Sequence, residues 1–107
     1  MNYFIDLNEI PVKELAPGIK AEVIQTENLT IGYSSLKTGS LIPLHYHPEE
    51  ATDILLEGEL EMRVGDRVEI IKPGMIIHVP SNTPHTAKAL TDCRVVSVFY
   101  PRREIKK

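Results

Sequence analysis

Glu59-Leu60-Glu61-Met62-Arg63-Val64, followed by Gly65-Asp66 and then Arg67-Val68-Glu69-Ile70-Ile71, is the stretch that decides the fold. Apolar and charged residues alternate through 59–64, so Leu60, Met62 and Val64 share one face and the charges share the other. That is the period of a half-buried strand and not of a helix. Gly65-Asp66 stands between two strand-like runs, which is a two-residue hairpin signal, so the flanking strands run antiparallel. A further turn follows at Pro73-Gly74, where glycine supplies the positive φ of a type II turn.

Outward from this hairpin, eight prolines and six glycines are spread from Pro11 to Pro101 and leave no room for a long amphipathic helix. The intervening segments 19–26, 29–37, 41–45, 52–57, 59–64, 67–72, 76–79, 85–90 and 93–100 are rich in β-branched and apolar residues. About nine short strands at this spacing predict an all-β sandwich or barrel of antiparallel strands with little helix. Arg94-Val95-Val96-Ser97-Val98-Phe99-Tyr100 is apolar at both parities, so a strand there is expected to be covered on both faces. Its outer cover would be the N-terminal strand or a second subunit.

A chain of 107 residues has room for one domain, 1–107. With 42% hydrophobic and 25% charged residues it reads as an ordinary globular protein, and a net charge of −3 disfavours nucleic acid and anionic membrane as partners. The start carries Asp6 and Glu9 and no basic region leading into an apolar run, so a cytoplasmic protein is expected. The single cysteine, Cys93, has no disulfide partner and shares parity with Val95 and Ser97, as a buried small residue would. The charged tail from Arg102 is expected to fray after Arg103.

Chemistry concentrates in the histidines. His45 and His47 are two apart on a strand-like segment, which projects both imidazoles from one face about 6.5 to 7 Å apart. His85 ends the stiff run Pro80-Ser81-Asn82-Thr83-Pro84 and is placed to join them. Three imidazoles suit a divalent transition metal: Zn, Ni, Cu, Fe or Mn. His78 lies at the parity opposite Ile77 and Val79 and is expected to face away from whatever they bury.

Two ordered motifs in these residues resemble the cupins. Gly39, five residues, His45-x-His47 and a closing Gly58 stand at the spacing of the first cupin motif, about 39–58. Pro73-Gly74 and Pro80 to His85 resemble the second, about 73–85. The resemblance implies a jelly-roll β-barrel, a metal in its mouth held by His45, His47 and His85, and often a homodimer. The runs HYHPEEATDILLEGELEM, KPGMIIHVPSNTPHTAKAL and VVSVFYPRRE are similar to the small pectin-degradation cupins that open unsaturated uronates to linear keto-acids. That likeness implies a small-molecule ligand such as a carboxylated sugar, Phe99 as a pocket aromatic and Arg103 as the group that grips the carboxylate. The sequence departs from it at two places. Ala51 stands where cupins carry a fourth ligand, Gln or Glu, and Ser97 stands where that group has its acid-base Asp.

Asp53, two residues beyond Ala51, points to the same strand face, with space left by the small alanine. It is expected in the pocket as a fourth ligand or as the catalytic proton carrier. Tyr33, Phe99 and Ser97 are expected to line the pocket, whereas Glu49 and Glu50 are expected in solvent. Three classes stay open: a metal-dependent isomerase or lyase-like enzyme on a sugar-derived acid, a three-His oxygenase, and a non-catalytic sensor that kept the barrel.

Overall fold

The computed structural model describes residues 3–104, and the end of the charged tail lies outside the described residues. Ten strands follow one 3-10 turn at Leu7–Glu9: β1 (Val12–Ala16), β2 (Ile19–Gln25), β3 (Thr30–Leu36), β4 (Leu41–His45), β5 (Glu50–Glu57), β6 (Leu60–Val64), β7 (Arg67–Ile71), β8 (Ile76–Val79), β9 (His85–Ala89) and β10 (Cys93–Tyr100). They form a six-stranded sheet, β1-β2-β3-β10-β5-β8, facing a four-stranded sheet, β4-β9-β6-β7. The ladders are antiparallel. Leu36, Leu55, Leu60, Met62, Val79 and Val95 fill the space between the sheets. No helix among the described residues is long and apolar enough to cross a membrane.

The turns form as their residues dictate. Val64 pairs with Arg67 across Gly65-Asp66, and Gly65 has φ +60. At Pro73-Gly74 the Met75 N–H donates to the Lys72 carbonyl at 3.0 Å, with Gly74 at φ +95, as a type II turn requires.

Strand β10 lies between β3 and β5. Phe99 stands between Thr30 and Ala51, Ser97 between Gly32 and Asp53, and Val95 between Ser34 and Leu55. These rows face the second sheet. The alternate residues form an outer face, where Val96 lies between Tyr33 and Ile54 and Val98 between Ile31 and Thr52.

Two expectations are corrected here. A tenth strand, β1, exists where the sequence offered only Val12-Lys13-Glu14-Leu15-Ala16 between two prolines, and its pairing with β2 supplies what its own pattern lacks. It sits at the sheet edge, so the N-terminal strand does not cover the outer face of β10.

Gly58 and Gly74 both hold positive φ, +91 and +95. A Cβ at Gly58 would collide with the Asp92 carbonyl, whereas one at Gly74 meets open space. Gly74→Ala is expected to lose about 1–2 kcal/mol from left-handed strain alone, and Gly58→Ala distinctly more. Urea midpoints of the two variants check this; equal losses would remove the collision as a cause.

Candidate metal centre

His45 ends β4 and His85 opens β9, and the two residues are direct cross-strand partners. A register irregularity at Pro43-Leu44 brings them opposite one another. His47 follows in the turn that leads to β5, where its carbonyl accepts the Asn82 N–H at 2.8 Å and so ties this turn to the Pro80–Pro84 loop. The ring centroids of His45 and His85 are 4.1 Å apart, those of His47 and His85 5.0 Å, and those of His45 and His47 5.5 Å. One ligand atom from each ring lies within 4.8 Å of the others. The structure thus brings together the three predicted ligands, which could hold a metal ion.

All three rings are oriented in the same way. Nδ1 of His45 lies 2.8 Å from the Pro43 carbonyl, Nδ1 of His47 2.9 Å from that of Glu49, and Nδ1 of His85 2.9 Å from that of Thr83. A carbonyl oxygen has no proton to give, so each Nδ1 must donate. The neutral ring then carries its free lone pair on Nε2, which is the form a metal requires. His47 and His85 are buried, and this burial lowers both pKa values below the ordinary histidine range; the Arg103 charge adds to the effect.

Behind the histidines a chamber of about 330 Å³ runs between the sheets. Phe99 reaches it with its ring edge-on to His47, centroids 5.6 Å apart. Ala51, 2% exposed, stands beside Phe99 and offers no donor atom. Asp53 and Ser97 are cross-strand partners one row deeper, hydrogen-bonded through their side chains, and both line the chamber. Burial pushes the Asp53 carboxyl up, while the Ser97 hydroxyl and the nearness of His45 pull the other way. Asp53 is not one of the clustered ligands among the described residues.

Arg103 arrives at the chamber because the chain end is clasped. Buried Thr30 accepts the Arg103 N–H at 2.9 Å and donates its hydroxyl to the Arg103 carbonyl at 2.7 Å, while Gln25 Nε2 donates to that carbonyl at 2.7 Å. The guanidinium carbon lies 5.1 Å from the centre of the Phe99 ring.

Tyr33 is not in the chamber. Gly32 and Ser34 take the inward parity of β3, so Tyr33 lies on the outer face, where Arg94 stands 5.7 Å from its ring centre. Glu49 is turned inward instead of into solvent: its side chain is 17% exposed, and Oε1 lies 3.9 Å from both His47 Nδ1 and Arg103 Nε. Its spacing of two from His47, across Pro48, was the available signal. Glu50 is exposed and meets outward-facing His78 at 3.1 Å. Cys93 is buried as expected, and burial pushes its thiol up.

The cupin domain family matches residues 32–99, well over half of the sequence. The chain is a cupin. Solved structures agree on the fold. KdgF from Halomonas sp. superposes with a TM-score of 0.89 at 24% identity, covering 97% of each chain. An RmlC-like cupin from Shewanella frigidimarina gives 0.90 at 20% identity, covering 97% of this cupin and 95% of that chain. A single-substitution variant of oxalate decarboxylase from Bacillus subtilis gives 0.82 at 22% identity, over 91% of this chain and 29% of the other. No curated protein matches the sequence.

The lowered histidines fix the sign of a pH effect. As pH falls through about 6.5 the unfolded chain protonates its imidazoles while folded His47 and His85 resist, so stability falls. Metal-free protein is expected to lose urea resistance between about pH 7.5 and 5.5, and changing both residues to Gln should flatten the loss. A raised Asp53 acts oppositely: its contribution is full below about 3.9 and is lost as pH rises through its folded value.

Proposed function

We propose that this cupin holds one divalent transition metal on Nε2 of His45, His47 and His85 and acts there on a small carboxylic acid. The observation that carries this reading is the shared Nδ1-to-carbonyl hydrogen bonding, which leaves three Nε2 lone pairs for the ion. Zn, Ni, Fe, Mn and Cu all accept imidazole. Three ligands without a fourth leave coordination positions open, as in catalytic sites. When bound, the ion supplies Lewis acidity toward a carbonyl or hydroxyl oxygen.

The chain's own residues supply the rest. Arg103 offers a planar fork to a carboxylate, with its direction set by Phe99 beneath it and Glu49 beside it. Asp53 moves the proton: burial raises its pKa toward the range of a useful acid-base group, and Ser97 stabilises the carboxylate by donating to it. The resemblance to pectin-degradation cupins has its acid at Ser97, and here the carboxylate stands on the neighbouring strand at the paired position. By that resemblance an unsaturated uronate, opened to a linear keto-acid, is the first substrate to try. Ser97 also favours a second reading, a binding module that keeps the chamber without turnover.

One metal per chain is expected by metal analysis, lost in His45→Ala and retained in Asp53→Asn. If Asp53 is the proton carrier, Asp53→Asn should cut turnover about 10²- to 10⁴-fold with ligand binding kept. A folded protein that takes up no added Zn, Ni, Fe or Mn would end the metal reading.

The partner we propose is a second copy on the outer face of the six-stranded sheet. Tyr33, Val96 and Ile54 form one row there, beside a mixed-sign row containing Lys20, Arg94 and Glu57, which suits a self-complementary interface. Val96→Lys is expected to give a monomer by sedimentation with metal content unchanged, and an unaltered mass would place any contact elsewhere.

A further inference from the structure

The chamber changes character along its length. Its histidine end is polar, with Arg103, Asp53 and Ser97. Behind the Asp53–Ser97 pair, Ser34 carries the only polar side chain of the lining among the described residues. The rest of the inner wall is Ile19, Leu36, Leu60, Met62, Ala87 and Val95, and the backbone groups of these strands are taken up in the ladders. Space for a ligand exists because small residues stand where larger ones would fill the barrel. A Cβ built at Gly32 meets nothing nearer than the Ser34 hydroxyl at 3.9 Å.

We propose that the ligand is an acid with an apolar body, its carboxylate at the Arg103 end and its alkyl or aryl group in the space lined by Leu36, Leu60, Met62, Ala87 and Val95, with Gly32, the partner of Ser97, at the border of that space. The proposal rests on the carboxylate reading given above and departs from its first substrate to try: among small carboxylic acids it favours apolar ones over a uronate. A polyhydroxylated acid would bring several hydroxyls to walls whose polar side chains are Ser34 and, at the border, Ser97 and Asp53, and each hydroxyl taken from water and left unpaired costs affinity. An alkyl group placed there gains affinity instead, about fourfold for each methylene buried. At about 330 Å³ the chamber is at the small end of ligand sites, which fits a branched or single-ring side group and excludes a long chain.

The test is calorimetric binding of pyruvate, α-ketoisocaproate, phenylpyruvate and galacturonate to the zinc-loaded protein. α-Ketoisocaproate and phenylpyruvate are expected to bind at least about tenfold tighter than pyruvate, with galacturonate the weakest of the larger acids. Gly32→Leu fills the space and should remove that advantage, weakening α-ketoisocaproate and phenylpyruvate by a larger factor than pyruvate, with zinc content unchanged. Gly32→Ala, a smaller change into open space, should give a graded loss and serves if the leucine variant does not fold. Galacturonate binding as tightly as the apolar acids, or an advantage that survives both variants, overturns the proposal and leaves the carboxylate site standing. No binding by any of the four acids overturns both.

Discussion

The register of β10 between β3 and β5 is the constraint on which the rest of the molecule depends. Side chains alternate with a period of two, so a slip of one residue would send Phe99, Ser97 and Val95 to the outer face and bring Val96 and Val98 in. The chamber would then lose its aromatic wall and the hydroxyl paired with Asp53. The same register sets where the chain leaves the sheet, and hence where Thr30 can clasp the Arg103 backbone. Placement of a charged side chain at the chamber is thus a consequence of strand pairing deep in the sheet.

The histidine cluster is built on a similar dependence of chemistry on backbone. Each ring is held by a carbonyl two residues away, in β4 or in the turns that lead to β5 and β9, so local chain geometry selects the tautomer. Burial then discourages protonation of His47 and His85, and the Arg103 cation works in the same direction. Both effects keep lone pairs available. Glu49, shared between His47 and Arg103, is the nearby opposing charge, and it limits the net positive potential of the site.

Much of this was legible in the sequence because it rests on short-range rules. The 59–71 hairpin, the Pro73-Gly74 turn, the alternation of most strands and the meeting of His45, His47 and His85 all follow from periodicity and spacing. What was not legible depends on partners. β1 has a weak pattern of its own and exists through β2. Tyr33 is aromatic and β-prone on either face, and only the inward choice of Gly32 and Ser34 sends it out. Glu49 looks like a solvated turn residue until Arg103, more than fifty positions later, is brought beside it.

The departures at Ala51 and Ser97 are best understood as one change. A cupin with a carboxylate at position 51 would hold that charge next to the histidines, and a second carboxylate at Asp53, on the same strand face, would face like-charge repulsion in a poorly hydrated space. With Ala51 neutral and small, Asp53 has room, and its cross-strand polar partner is the hydroxyl of Ser97 instead of another acid. An Asp at 97 beside Asp53 would restore the repulsion. The chamber therefore accommodates one buried carboxylate, and the sequence has placed it on β5, one row from the histidines and outside their cluster.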